Sequence, residues 1–335
     1  MGNKSIYKNA SVKVYYGYGH THNLIVYGHV FKRKAITQHK FTNNILYNIF
    51  HLFRLFFVQP FPHVKVRLHF QDQELENITE DDGFFKFEWE ATQDVSAGWH
   101  YLAVDLVDET RKIVTTGAGK IYIPHITQYG FISDIDDTIM ISHSATVGRR
   151  LKELFIHNPR TRTIFSDVAA HYALLSLAHT TEATPNPFFY VSSSEWNLYD
   201  YLDEFFSFNG LPQGAFLLNQ IKRWLELLKT GKTKHQGKFL RIVRILEAFP
   251  KQQFILFGDN TQNDPVIYAS IAQKLPSKIF AVYIRSVIEE NNAATKEILS
   301  SIEQNGVHAC LFKTSKEAIE HSKLIGLIRS ETETV

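Results

Sequence analysis

Residues 129–140, Y-G-F-I-S-D-I-D-D-T-I-M, constrain this chain more than any other stretch. The apolar pair Phe131-Ile132 stops abruptly at Asp134, Asp136, Asp137 and Thr138. A short apolar run of this kind reads as a buried parallel strand. Parallel sheets bind ligands beyond the carboxyl ends of their strands, which is where these acids fall. Asp134 and Asp136 stand two apart, so an extended backbone would point both side chains the same way. Two anions meeting in a half-buried crevice repel each other and need a cation between them. Oxygen ligands with no Cys or His in the stretch favour Mg²⁺ over zinc. A D-x-D after a strand is also a common acidic turn, and the later stretches decide between the two.

From Tyr129 onward, apolar runs alternate with helical patterns, the signature of an α/β domain with a parallel sheet. Strands are expected at 188–191, 215–218, 254–257, 279–284 and 309–312. Helices are expected at 167–179, at 197–208 with Gly210 closing it, and at 238–249. The last carries Phe239, Ile242, Val243, Leu246 and Phe249 on one face. Four polar groups thus follow strands or open helices: D-x-D-x-T, Ser192-Ser193-Ser194, Lys238, and the acids within 258–264. Together they compose a phosphoryl-transfer site. Asp134 would attack phosphorus and carry an aspartyl-phosphate. Asp136 would protonate the leaving oxygen and then deprotonate water. Asp259 would give Mg²⁺ a second carboxylate, with Asp264 as ligand or supporting partner. Ser192, with Ser193 beside it, and Lys238 would hold the phosphoryl oxygens.

The region up to about Pro124 reads as all-β, with strands at 12–16, 24–31, 64–70, 84–90, 101–107 and 113–123. Val64, Val66, Leu68 and Phe70 alternate with Lys65, Arg67 and His69, and Asp81-Asp82-Gly83 is a hairpin-turn signal. A small β-sandwich is expected, its aromatics (Phe84, Phe85, Phe87, Trp89) serving as core. Within it, Asn44, Asn48, His51 and Arg54 form a narrow polar stripe on an otherwise apolar helical segment, 44–58. The segment is too short to span a bilayer. It is expected to be buried against the sandwich or the second domain, with a membrane interface as the second reading.

Composition narrows the partners. A length of 335 residues suggests two domains, and a formal net charge of +2 gives no global field pointing to nucleic acid. The lone Cys310 excludes an intrachain disulfide, fits a reducing, cytoplasmic compartment, and reads as a small apolar side chain on a strand. Residues 1–20 lack a continuous apolar core, so no signal peptide is expected. Ile6 occupies the place a myristoylation signal reserves for a hydroxyl.

The sequences D-I-D-D-T at 134–138, Ser192, Lys238 and Gly258-Asp259 resemble the four motifs of the haloacid dehalogenase superfamily. Within it, F-I-S-D-I-D-D-T-I, F-Y-V-S-S-S-E-W-N-L-Y and F-I-L-F-G-D-N-T-Q-N-D-P-V-I-Y resemble the catalytic domain of the actin-patch phosphatidate phosphatase family. The β-rich region and Gly28-His29-Val30 are similar to its bacterial members. The resemblance covers about 129–285. It implies a Rossmann-like haloacid dehalogenase core with neighbouring first and fourth strands, and Mg²⁺-dependent conversion of phosphatidate to diacylglycerol. It further implies Asp134 as nucleophile and metal ligand, Asp136 as acid/base and metal ligand through its backbone carbonyl, and Thr138 as orienting Asp136 and the loop. Ser192 and Lys238 would bind phosphate, with Lys234 as the alternative lysine. Asp137 is expected to be a solvated or capping acid.

Three places depart from the family pattern: Glu195 where proline is usual, Leu218-Asn219-Gln220 where arginine and aspartate end the stretch, and Gly237 where histidine is common. All lie near the expected substrate entrance. The only insertions, 139–166 and 219–237, are too short for an independent cap domain, so an open site suited to a large or aggregated substrate is expected. The basic run Lys222, Arg223, Lys229, Lys232, Lys234, Lys238, Arg241 and Arg244, with Trp224, is either a solvated face or a contact for an anionic surface. The expected organisation is a β-sandwich-like domain at 1–125, a phosphatase domain at 126–325 and a tail at 326–335. The alternatives are a phosphatase for a soluble phosphomonoester, and an interaction protein with a vestigial site.

Overall fold

A computed structural model describes residues 7–33, 44–142, 158–220 and 234–329. Its first sheet has eight strands: β1 (Ser11–Val14), β2 (Gly17–His20), β3 (Asn23–Phe31), β4 (Lys65–Phe70), β5 (Gln73–Ile78), β6 (Phe84–Trp89), β7 (Gly98–Val107) and β8 (Ile113–Ile123). The order is β1-β3-β2-β8-β7-β4-β5, with β6 on β3. All pairings are antiparallel except the short β2–β8 contact. In β4 the expected alternation holds: Val66, Leu68 and Phe70 are buried, and Lys65, Arg67 and His69 are half-buried. The turn at Asp81-Asp82-Gly83 forms, with Gly83 at φ 78° and Asp82 Oδ1 accepting from Phe84 N at 3.0 Å. It does not close a hairpin, because β5 pairs with β4 while β6 pairs with β3.

Helix α1 (Ile45–Phe56) sits between β3 and β4 in sequence. Asn48, His51, Leu55 and Phe56 are buried, whereas Leu46, Phe50 and Phe57 are exposed. Two of the four stripe residues, Asn48 and His51, thus face inward beside Leu55 and Phe56, while Asn44 and Arg54 are exposed.

The second sheet is wholly parallel: β9 (Gly130–Ser133), β10 (Phe188–Glu195), β11 (Gly214–Asn219), β12 (Phe254–Asp259), β13 (Ile279–Arg285) and β14 (His308–Phe312). Its order is β11-β10-β9-β12-β13-β14. The first strand thus lies between the second and the fourth, the doubly wound arrangement whose crevice opens at the carboxyl ends of the two central strands. Helices α2 (Val168–Ser176), α3 (Tyr199–Phe208), α4 (Lys234–Ala248), α5 (Asp264–Lys274), α6 (Asn292–Gln304) and α7 (Ser315–Leu324) accompany it. Successive strand residues face opposite ways. Phe257 packs on His171 and Tyr172 of α2, while Gly258 faces Asp264 and Tyr268 of α5, so helices cover both faces. On α4 the fully buried positions are Ile242, Ile245 and Leu246, with Phe249 just beyond; Phe239 and Val243, expected on that face, are only half-buried at its margins.

One apolar cluster runs from the second sheet into the first. Tyr15 stacks on Trp196 at 4.2 Å, Tyr18 meets Phe189 edge-on at 5.2 Å, and the Tyr122 hydroxyl donates to Pro185 O. His29, in the Gly28-His29-Val30 segment, is buried there and bonded to the Tyr15 hydroxyl at 2.9 Å. Cys310 is half-buried on β14, and burial pushes its thiol up to about 12, which makes it a poor nucleophile.

His171 gives a measurable consequence. Burial, with Arg285 adding to it, lowers its pKa from 6.5 to about 3. The folded state keeps the ring neutral, while the unfolded chain binds a proton near pH 6.5. Stability is therefore full above that value and is lost as pH falls toward 3. Urea unfolding at pH 7 and pH 5 is expected to show wild type losing about 2 kcal/mol more than His171→Gln over that interval.

Candidate active site

Asp134 follows β9, Asp259 ends β12, Ser192 lies in the carboxyl half of β10, Lys238 in the second turn of α4, and Asp264 opens α5. Asp134 leaves β9 with its N–H donating to Phe257 O at 2.9 Å, so β12 fixes where its carboxylate starts. The chain then turns rather than extending. Asp137 adopts a left-handed φ of 60°, its N–H donates to Met140 O at 2.7 Å, and its carboxylate accepts from Ser142 N at 2.9 Å. Asp137 is therefore a buried brace of the loop and not a solvated acid.

Asp134 and Asp136 have different partners. Asp134 Oδ1 accepts from Lys238 Nζ at 2.8 Å, and the same ammonium donates to Asp264. Ligand oxygens of Asp134, Asp259 and Asp264 all lie within 4.8 Å of one another. The Asp136 carboxylate lies outside this cluster. Ser142 Oγ donates to its Oδ1 at 2.7 Å, Ser192 Oγ is 3.5 Å from its Oδ2, and Arg162 stands 3.9 Å away. Thr138 Oγ1 donates to Asp259 Oδ2 at 3.5 Å.

Electrostatics define what the cluster needs. Burial drives the Asp134 carboxyl well above its ordinary range; Lys238 opposes this, and Asp264, Asp259 and Asp136 reinforce it. Asp259 rises to about 7, by burial first and Asp264 second, against the bonds from Thr261 that favour its charge. Burial also disfavours the charge on Lys238, yet Asp134 and Asp264 outweigh it and raise the lysine pKa. One ammonium thus stands among three buried carboxylates, too little positive charge to keep them all ionised. Asp134 Oδ2 and Asp264 Oδ2 are buried with no hydrogen-bond partner among the described residues. Three convergent carboxylates with two such oxygens fit a hard divalent cation such as Mg²⁺.

The hydroxyl group of the site is equally anchored. Ser192 is fully buried, and its Oγ accepts from Ser194 N at 3.0 Å. Ser193 is half-buried and lines a recess shared with Asp134, Lys238, Arg241, Gln262 and Asn263. Asn219 joins these parts: its Nδ2 donates to Ser193 O at 2.8 Å and its Oδ1 accepts from Arg241 at 2.6 Å. Glu195 is buried and pairs in register with Asn219. Two residues that depart from the family pattern are therefore adjacent, behind the serines.

Three arginines were not anticipated here. Arg162 donates to Ser142 Oγ at 2.9 Å and so backs the group that holds Asp136. Arg241, pushed down to about 10 by burial, also approaches Ser192 O at 3.4 Å. Arg285, between Phe165 and Phe312, donates from Nε to Thr138 O at 2.9 Å and holds the acidic turn. Its place at the carboxyl end of β13 was the available signal. Lys222, Arg223, Trp224, Lys229, Lys232, the Lys234 side chain and much of both insertions lie outside the described residues.

Gly258 sets how closely α5 approaches. A Cβ there would stand 2.5 Å from Asp264 Oδ2 and 2.9 Å from Tyr268. Gly258→Ala is expected to displace Asp264, lowering divalent-cation affinity about 10- to 100-fold and stability by about 1–3 kcal/mol. Calorimetric Mg²⁺ titration and thermal unfolding check both.

The described residues thus form an acid-lined crevice at the switch point of a parallel sheet, with a largely buried lysine in it and a buried serine beside Asp136. Residues 129–286 match the family model described as phosphatidate phosphatase APP1, catalytic domain. The chain is 33% identical over 159 residues to the phosphatidate phosphatase APP1 of Saccharomyces cerevisiae, 47% of this chain and 25% of the relative. It is 25% identical over 161 residues to an uncharacterised protein of Schizosaccharomyces pombe, 48% of this chain and 25% of that one. The chain thus matches about a quarter of the length of these curated relatives. Among solved structures, a carbohydrate acetylesterase from Xanthomonas citri aligns over 93% of this chain and 72% of its own at 9% identity, with a TM-score of only 0.34.

Proposed function

We propose that the protein is a Mg²⁺-dependent phosphatase that hydrolyses a phosphomonoester through an aspartyl-phosphate, with phosphatidate as the substrate. The observation that carries this is the cluster of Asp134, Asp259 and Asp264, in which Lys238 bridges Asp134 and Asp264, with Ser192 3.5 Å from the neighbouring Asp136. The lipid comes from the family's description and from the name of the yeast relative. The same reading makes the second sheet a haloacid dehalogenase-type core at 126–325, the first a separate β-domain at 1–125, and the location cytoplasmic. Among the described residues no helix is long and apolar enough to cross a membrane.

Asp134, Asp259 and Asp264 would hold Mg²⁺, which when bound neutralises their charge and that of the phosphoryl group. Asp134 then attacks phosphorus through a carboxylate oxygen, and the P–O bond to the leaving alcohol breaks. Asp136 gives that oxygen its proton, held in place by Ser142, which Arg162 backs. Water next attacks the phosphorus of the aspartyl-phosphate, Asp136 takes its proton, and phosphate departs with Asp134 restored. Ser192 donates to a phosphoryl oxygen, and Lys238 lies where it reaches a group attached to Asp134.

A soluble phosphomonoester is the second reading, favoured by the polar lining of the recess, where Ser193, Arg241, Gln262 and Asn263 face the acids. A vestigial site would not need the full set of Asp134, Asp136, Ser192, Lys238 and Asp259 in one crevice. Acid-quenching turnover of ³²P-labelled phosphatidate tests the mechanism. Hydroxylamine-labile label on the peptide containing Asp134 is the expected result, and label nowhere on the protein during turnover would refute a covalent intermediate.

A further inference from the structure

The outward face of α1 is apolar where a surface helix is ordinarily polar. Leu46, Phe50 and Phe57 are 77%, 61% and 65% exposed. They stand four and seven residues apart, the spacing that places side chains on one helix face, with Phe57 at the C-cap. Asn48 and His51 are buried on the other side, so the helix has placed an amide and an imidazole inside and three large apolar groups in water. Such a patch marks a contact surface.

Charge identifies the occupant. Residues 1–71 contain ten Lys and Arg and no Asp or Glu, the first acid being Asp72, although the whole chain is only +2. Arg54 on α1 lies over the Phe50 ring at 5.6 Å, so cation and apolar group share the patch. Lys13, Lys65 and Arg67 are paired with acids, and the cations that stand by the patch are Arg33 and Arg54, which line one recess with Phe57. An anionic bilayer satisfies both features, its acyl boundary taking the apolar side chains and its headgroups the cations. Position agrees as well. Asn197 Nδ2 donates to Leu55 O at 2.9 Å and ties α1 to the turn Trp196–Leu198, which directly follows the serine-bearing strand β10.

We infer that α1 is the element that seats this protein on an anionic lipid surface, inserting Leu46, Phe50 and Phe57 at the end of the sheet where the crevice opens. This deepens the phosphatidate reading and takes its purpose from it, but the binding requires no turnover. The test is co-sedimentation of the full chain with phosphatidylcholine vesicles, with and without phosphatidylserine and free of phosphatidate. Beside it run thermal unfolding, sedimentation velocity and p-nitrophenyl phosphate hydrolysis. Wild type is expected to bind the phosphatidylserine vesicles and to weaken in high salt. The triple variant Leu46→Glu, Phe50→Glu, Phe57→Glu is expected to bind at least about a hundredfold more weakly with unchanged unfolding midpoint. Arg54→Glu should weaken binding severalfold without touching the apolar groups. Absence of vesicle binding by wild type, or equal binding by the triple variant, overturns the inference. So does a wild-type dimer that the triple variant converts to monomer. Binding retained with no hydrolysis of any ester would sink the phosphatase reading and leave this one standing.

Discussion

Asp134→Asn is expected to abolish phosphate release, lowering kcat at least about 10⁴-fold, because an amide oxygen cannot form the covalent intermediate. Stability should move the other way. The Asp134 carboxyl is held far above its ordinary range by burial and by Asp264, Asp259 and Asp136, so the charged form is costly to bury. Removing that charge leaves Lys238 still bonded to Asp264. In EDTA the variant should therefore unfold a few degrees above wild type, at about 2–4 °C per kcal/mol for a chain of this size. It should also lose most of the midpoint rise that Mg²⁺ gives wild type, since one of three ligands is gone. Scanning calorimetry with and without Mg²⁺ separates the two effects. An inactive variant that is also strongly destabilised would mean that Asp134 is a structural partner of Lys238.

Lys238→Met is expected to be the most damaging single change to stability. Its ammonium touches both Asp134 and Asp264, and its side chain is largely buried. Methionine fills similar volume and supplies no charge, leaving two buried carboxylates facing each other. Breaking a buried ion pair from one side costs about 3–5 kcal/mol. Activity should fall about 10²- to 10³-fold through loss of a donor to the phosphoryl group. Mg²⁺ should restore much of the stability and little of the rate. A variant as stable as wild type in EDTA would contradict the electrostatic account of the cluster.

The α/β half was readable because a buried parallel strand and the acids past its end are both local patterns. Phe131-Ile132 before Asp134, and residues 254–257 before Asp259, marked the two strands that turn out to be neighbours. The first half was less legible. β5, with the sequence Q-E-L-E-N-I, is a half-polar edge strand without an apolar face. β2, with G-Y-G-H, is too rich in glycine to read as a strand. Helical periodicity put Asn48 and His51 on one face of α1 and could not say that this face is the inner one. The strand ends at Ser133, before either acid, so the extended-backbone argument did not reach Asp134 and Asp136, and Asp136 meets Ser142 and Ser192 instead of joining Asp134 and Asp259. Arg162, Arg241 and Arg285 were missed because arginine in a sequence reads as solvated, whereas all three are drawn in by carbonyls and hydroxyls of the site.

The measurement that tests the central claim most directly is phosphate release from detergent-dispersed phosphatidate as Mg²⁺ is added. A panel of soluble phosphomonoesters runs in parallel, and Asp134→Asn serves as the blank. The account predicts release from phosphatidate that requires Mg²⁺, exceeds that from every soluble ester, and vanishes in the variant. Release that persists in Asp134→Asn, or that proceeds undiminished in EDTA, would contradict it.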